Sequence, residues 1–427
     1  MQDNKVKHWN GVQNLVNLNY VDLSFSKHMT EIPNLSRASN LQYLILNGCS
    51  SLLEITPSSI QNLNKLVELD LRNCIRLISL PDGIQSKSIN LYRCYTLEIA
   101  PKISCKVENL YLSGTAIKES LFVEHPSRLV QLDLSHCSSL ESLSSSICKL
   151  KYLEVLKLFR RSKLKRLPHD FGDLEASEFL DSKATIIEEV PSSILHLPKL
   201  CKLELCRVDD EPTPLNWVLN SSSGSNSIEW IDFSNFQMTK LPDNLGQLSF
   251  LEDLYLSGNN FKSMPENIKG LSKLKFLDIS NSRRLQLLPE LPMGVGVMAN
   301  DSSSLQSISD PLFLLLPHWR RRKTSFIHCF KLDLSKILHE ESCREFCANI
   351  CFPGDEIPKW FTFQNTGSYI TLDQSLDWHN KNFLGFLASI VVSPGFYCGI
   401  HFYVVTCYCS VKSEDGEEQI YITEHEL

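Results

Sequence analysis

His339, Cys343, Cys347 and Cys351 recur at a spacing of four and carry the donor types that zinc prefers. On a helix, consecutive members would lie about 6 Å apart along one stripe. Two of them could share an ion, but four could not close a tetrahedron around one. Cys351 also precedes Phe352-Pro353, where a strand is expected, so core packing explains the stripe better than a metal does. Cys407-Tyr408-Cys409 follows strand alternation and offers less. Gly294-Val295-Gly296 stops short of a dinucleotide fingerprint, and the chain has no G-x-x-x-x-G-K-S/T loop to cradle phosphate. In the last hundred residues, His379 and His401 lack the paired acid, base or nucleophile that catalysis needs. No catalytic, metal-ligating or cofactor-binding set is expected.

The strongest signal is a self-similar unit, L-x-x-L-x-L-x-x-C/N. Leu41, Leu44, Leu46 and Cys49 form one copy; Leu66, Leu69, Leu71 and Cys74 another; Leu129, Leu132, Leu134 and Cys137 a third; Leu251, Leu254, Leu256 and Asn259 a fourth. First apolar positions at 18, 41, 66, 86, 107, 129, 153, 177, 200, 228, 251, 274 and 294 define about thirteen units with a mean spacing of 23 residues. The units at Ser86, Ser177 and Gly294 are degenerate. In L-x-L the leucines alternate with an outward residue, the period of a half-buried strand. A second phrase, apolar-Pro-x-x-apolar, recurs between strands, as in Leu80-Pro81-Asp82-Gly83-Ile84 and Met264-Pro265-Glu266-Asn267-Ile268. Proline removes a donor and fixes φ, so these returns should be turns or single helical turns. Strands packed roughly 4.8 Å apart against wider returns predict a horseshoe with a parallel sheet on its concave face, an α/β leucine-rich-repeat solenoid over residues 1–305. Cys49, Cys74, Cys94 and Cys137 are expected to be structural fillers.

On that face the residue between the paired leucines forms a column: Asp22, Ile45, Asp70, Asn90, Tyr111, Asp133, Lys157, Asp181, Glu204, Asp232, Tyr255, Asp278 and Met298. Seven of the thirteen are acidic, and like charges stacked at strand spacing repel. Either the column is the ordinary solvated form of the motif or it awaits a basic partner. Aromatic residues lie among these positions (Tyr20, Tyr43, Tyr92, Phe159, Trp230, Tyr255 and Phe276), and such side chains anchor interfaces. The candidate partner-binding set is therefore Asp133, Lys157, Phe159, Asp181, Glu204, Trp230, Asp232, Tyr255 and Asp278. Arg160, Arg161, Lys163, Lys165 and Arg166 form a basic patch that could dock an acidic domain or remain a solvated edge.

The net charge of −7 argues against nucleic acid as a partner. No apolar run approaches the length of a membrane span, and the first residues lack the apolar core of a secretory signal. Fifteen cysteines then read as reduced thiols, which suits the cytoplasm or nucleus; Arg320-Arg321-Arg322-Lys323 is a weak import-like patch. Asn34, Asn220 and Asn300 open glycosylation sequons, the one feature favouring an extracellular repeat receptor.

Residues 306–325, with Pro311, Pro317 and the basic run, are expected to be a connector. Residues 326–427 should form a second domain: a leading helix carrying Leu334, Ile337 and Leu338, then short strands at 383–392 and 402–411, the pattern of a β-sandwich.

Several phrases carry a family resemblance. His8-Trp9-Asn10-Gly11-Val12, Ile32-Pro33-Asn34-Leu35-Ser36 and Asn47-Gly48-Cys49-Ser50-Ser51-Leu52 resemble the repeat array of plant intracellular disease-resistance receptors of the TIR–nucleotide-binding–leucine-rich-repeat class. Ile327-His328-Cys329-Phe330-Lys331-Leu332 and Phe352-Pro353-Gly354-Asp355-Glu356-Ile357-Pro358-Lys359-Trp360-Phe361 are similar to its region after the repeats, a jelly-roll/Ig-like domain. The resemblance implies a non-catalytic module for a protein ligand, a pathogen effector or host protein, with signalling domains of the same receptor family as further partners. Neither a TIR nor a nucleotide-binding domain matches within the chain. It is expected to be the sensor part of a receptor, or else a truncated adaptor or decoy.

Overall fold

Each unit makes a three-residue strand because its middle leucine must leave water while its neighbours need not. In the second repeat Leu44 is fully buried between half-exposed Tyr43 and Ile45, and Leu41 and Leu46 close the core on either side. A buried leucine contributes about 1.5–3 kcal/mol. One unit alone cannot offset its ordering entropy, so stability comes from stacking.

The computed structural model describes residues 15–310 except 120–126, 161–162, 188–189, 192, 195–196, 207–226 and 244, and also residues 324–333; for 350–351, 404–412 and 418–426 it describes the backbone. The stripe residues His339, Cys343 and Cys347, the predicted helix, the strand at 383–392 and the basic run at 320–323 lie outside the described residues. So does the bulk of the predicted β-sandwich.

The chain forms two units, Met1–Leu274 and Lys275–Leu427. In the first, eleven strands lie side by side in chain order, all parallel. They are β1 (Tyr20–Asp22), β2 (Tyr43–Ile45), β3 (Glu68–Asp70), β4 (Ser88–Asn90), β5 (Asn109–Tyr111), β6 (Gln131–Asp133), β7 (Val155–Lys157), β8 (Phe179–Asp181), β9 (Lys202–Glu204), β10 (Trp230–Asp232) and β11 (Asp253–Tyr255). In the second unit β12 (Phe276–Asp278), β14 (Gly296–Met298), β16 (Thr324–Ser325) and β17 (Ile350–Cys351) continue the parallel pattern. A separate ladder joins β13 (Leu287–Leu288) to β15 (Ser307–Ile308), and β18 (Val404–Lys412) pairs antiparallel with β19 (Glu418–Glu426).

The thirteen predicted units all supply a strand at the expected offset, the degenerate ones included. Ser86 and Ser177 take the place of a leucine and are buried to 0% and 1% exposure. Gly294 turns with a positive φ, and Gly296 opens β14, so the glycine phrase makes a repeat turn.

Beyond residue 305 the pattern runs on. Met298 pairs with Ser325, Phe326 and Cys329 are fully buried, and the Cys329 thiol donates to the Ala299 carbonyl at 2.9 Å. Residues 324–332 thus form a further repeat inside the span expected to be connector and second domain. Ile327-His328-Cys329 carries the C position of the motif, but Phe326 stands where a leucine was sought.

The returns behave as proline dictates. A short helix, α1 (Pro57–Ile60), has Pro57 at its start, and 3-10 turns at His169–Asp173 and Glu266–Gly270 follow Pro168 and Pro265.

The C/N position ties neighbouring units together. Cys49, Cys74, Cys94 and Cys137 donate their thiols to carbonyls of the preceding unit, those of Leu23, Leu46, Leu71 and Leu112, at 3.2 to 3.3 Å. Burial pushes the Cys49 thiol up to about 11 and the Cys94 thiol up to about 12, so both stay protonated donors rather than nucleophiles. Asn259 performs the same task with an amide.

Candidate functional site

The predicted column exists in register. Within the first unit Asp22, Ile45, Asp70, Asn90, Tyr111, Asp133, Lys157, Asp181, Glu204, Asp232 and Tyr255 follow one another strand by strand. In the second, Asp278 pairs with Met298.

Its acids are more engaged than a solvated face requires. Asp22, Asp70, Asp133, Asp181, Asp232 and Asp278 each accept the backbone N–H two residues ahead, at 2.9 to 3.1 Å. The short carboxylate thereby caps the turn that leaves the strand, and Asn90 does the same for Tyr92. Preference for Asp here is in good part a backbone requirement. Asp70 is buried to 1% and grips the Arg72 guanidinium through both oxygens, so the expectation of an outward acid fails at that strand.

Glu204 has one methylene too many for that cap and solves its burial differently. At 3% exposure, it receives Lys183 at 3.0 Å and Lys202 at 2.9 Å. Desolvation pulls the Lys183 ammonium down, but the hydrogen bond and charge of Glu204 outweigh it and hold it above its ordinary value. Burial raises the Asp181 carboxyl, with the charge of Glu204 adding to the shift, while Lys183 and Lys157 oppose it. Burial likewise raises Asp232 and Asp278. The three adjacent acids are therefore interleaved with Lys157, Lys183 and Lys202, which offsets the like-charge repulsion expected from sequence.

The aromatic residues flank this network. The Trp230 and Tyr255 rings lie 4.7 Å apart, tilted by 30°. The Lys202 ammonium sits 4.7 Å from the Trp230 ring and 5.2 Å from that of Phe179. Asp181, Glu204, Trp230, Asp232 and Tyr255 thus come together, with Lys157 beside Asp181. Phe159 lies one outward position further along the chain, where the His136 ring meets its edge at 5.4 Å and Arg160 stacks at 5.5 Å. Asp133 borders Lys157, whereas Asp278 belongs to the second unit.

Lys183, Lys202 and Phe179 were missed by sequence reasoning. A signal existed: the outward period of two, extended one step either side of the column, selects all three. Among the described residues no group of three or more metal-ligating side chains occurs, and no helix is long and apolar enough to cross a membrane.

The fold and this face define a leucine-rich-repeat solenoid. Residues 250–271 match the family model of the leucine-rich repeat, and residues 352–424 match that of the C-JID domain. Disease resistance-like protein DSC1 of Arabidopsis thaliana is 34% identical over 90% of this chain and 34% of its own length. TMV resistance protein N of Nicotiana glutinosa is 30% identical over 90% of this chain and 36% of its own. Disease resistance protein RPP5 of Arabidopsis thaliana is 31% identical, with coverages of 92% and 26%. Among solved structures, an internalin from Listeria monocytogenes overlaps with a TM-score of 0.40 at 14% identity, covering 80% of this chain and 88% of that one. The chain belongs to the plant TIR–NB–LRR disease-resistance family, of which it carries the leucine-rich-repeat and C-JID region. It spans about a third of the length of the first two relatives.

Proposed function

We propose that this chain is a protein-recognition module of plant innate immunity, binding a pathogen effector or a host protein through the outward face of β6–β11 and through the C-terminal region, without catalysis. The observation that carries this reading is the Trp230–Tyr255 pair set beside Lys202, Glu204 and Asp232. Half-exposed aromatic anchors, held by neighbouring charges, are the elements that concentrate binding energy at protein interfaces. Interleaved charges of both signs favour a ligand with a matching pattern over a uniformly basic one. The cytoplasm, with access to the nucleus, is the compartment that suits free thiols at Cys49, Cys74 and Cys94.

A photo-crosslinking amino acid placed at Tyr255, and separately at the exposed Tyr152, tests this in protein expressed in challenged leaf tissue. A discrete cross-linked polypeptide is expected at 255 and not at 152, and it should disappear in a Trp230→Ala background. Cross-links that are equal at both positions, or indifferent to Trp230, would overturn the assignment.

A further inference from the structure

The position three residues beyond the column lies at the end of the turn that leaves the strand, and among the described residues its backbone is left-handed. Gly48, Asn73, Gly114, Asn235 and Gly258 hold φ between 57° and 76° there, residue types that tolerate it. Arg93, His136 and Arg160 adopt the same conformation at 60°, 59° and 64°, although their side chains disfavour it. The ladder imposes the geometry: their amides donate to Ser113, Phe159 and Lys183 of the next unit at 2.7 to 2.9 Å. Phe25 has a packing reason for accepting this strain, since its ring occupies the space a Cβ on Gly48 would fill. Ala184 sits in the same conformation with nothing to present, so backbone strain alone marks no site.

Arg93 and Arg160 differ in what they hold out. Each guanidinium stacks on the aromatic ring just before it, Tyr92 at 4.9 Å and Phe159 at 5.5 Å, and both arginines are exposed. Neither meets a carboxylate among the described residues. Nearby cations do: Arg72 pairs with Asp70, Lys118 with Glu98 and Lys163 with Glu141. Between the two arginines the ladder passes through buried Ser113, Gly114, which has no side chain, and His136, whose ring packs edge-on with Phe159. Three ladder steps separate the arginines, about 14 Å at roughly 4.8 Å per strand.

We infer that this edge of the repeats, from Arg93 to Arg160, is a second interaction surface that takes an acidic protein segment in extended form, its carboxylates meeting the two stacked guanidiniums. The planar fork of arginine suits paired carboxylate oxygens, and stacking holds it ready to accept them. A long nucleic acid would run on over a molecule of net charge −7, whereas an acidic segment of about six residues spans only the stretch between the two guanidiniums. This surface borders the proposed face at β6 and β7 but uses neither Trp230 nor Tyr255, so the Trp230→Ala variant and the arginine variants test the two readings independently.

The test uses the full chain and a fluorescent peptide of about six glutamates, long enough to span about 14 Å at roughly 3.3 Å per residue. Anisotropy should show salt-sensitive binding that weakens about tenfold or more in the double variant Arg93→Gly, Arg160→Gly. Because glycine accepts the left-handed backbone, the variant should melt no lower than the parent. The double variant Arg93→Lys, Arg160→Lys should lose part of the affinity, since it keeps charge but not the fork. Equal binding by parent and glycine variant would overturn the inference. So would a single-stranded oligonucleotide bound as tightly as the peptide, which would make the edge a general polyanion site. A lower melting temperature in the glycine variant would make the arginines structural instead.

Discussion

Asn259 provides the sharpest test of how neighbouring units are joined. Its side chain is fully buried; Nδ2 donates to the carbonyls of Phe233 at 2.9 Å and Leu256 at 2.8 Å, while Oδ1 accepts the Met238 amide at 3.0 Å. Asn259→Ala leaves two carbonyls and one amide without that partner. Each unsatisfied buried group costs about 1–3 kcal/mol, and partial relaxation brings the expected total to roughly 3–5 kcal/mol. Asn259→Cys should cost less, about 1–3 kcal/mol, because a thiol here can still reach the preceding carbonyl as Cys49, Cys74 and Cys94 do. Urea denaturation gives the order of stabilities, and hydrogen exchange locates the damage. The Met238 amide should lose protection in both variants. A cost below about 1 kcal/mol for the alanine variant, or a cysteine variant as damaged as alanine, would refute this account of the ladder.

Three further outcomes follow from buried polar groups. Ser177 stands in a leucine position at 1% exposure, and its hydroxyl has no hydrogen-bond partner among the described residues; Ser177→Ala should stabilise the chain by about 1 kcal/mol in thermal denaturation. Replacing Lys183 and Lys202 together with alanine should lower the melting temperature more than Glu204→Leu does, since the first strands a buried carboxylate and the second leaves two cations that can reach water. Burial raises the native carboxyl of Asp278 above its unfolded value, so the folded state holds that proton more tightly. Its destabilising effect is absent below about pH 4, grows as pH climbs toward the raised value, and is constant above it. Asp278→Asn, which can keep the bond from Ser280 as Asn90 keeps that from Tyr92, should be more stable than the parent at neutral pH; denaturation across pH should show the advantage vanishing on acidification.

The strands were legible because the period of two leaves no choice of face: a one-residue slip would expose Leu44 or Leu132 and bury Asp133. That constraint placed even the units at Ser86 and Ser177, since flanking units fix the register where the local leucine is missing. Charge was less legible. From the column alone the acids looked like an unopposed stack, because Lys183 and Lys202 belong to neighbouring outward positions that reach Glu204 only once strands are laid side by side. The double duty of Asp133 and Asp232 as turn caps was equally hidden, since a carboxylate reads the same whether it faces solvent or its own backbone. The ladder beyond residue 305 escaped because Phe326 fills a leucine position, while the C position at Cys329 was present throughout.

Pairing across β9 and β10 sets Lys202 against Trp230 and Glu204 against Asp232, although the two strands lie 28 positions apart in the chain, against 23 between β10 and β11. The ladder counts units and ignores the chain length between them. Genetic exchange that adds or removes whole units would lengthen or shorten the array while preserving its inward leucines and its turn caps. Only the outward residues would be reshuffled into new neighbourhoods. An architecture of this kind separates what must be inherited intact from what can vary, and lets recognition surfaces diversify by recombination without risking the core.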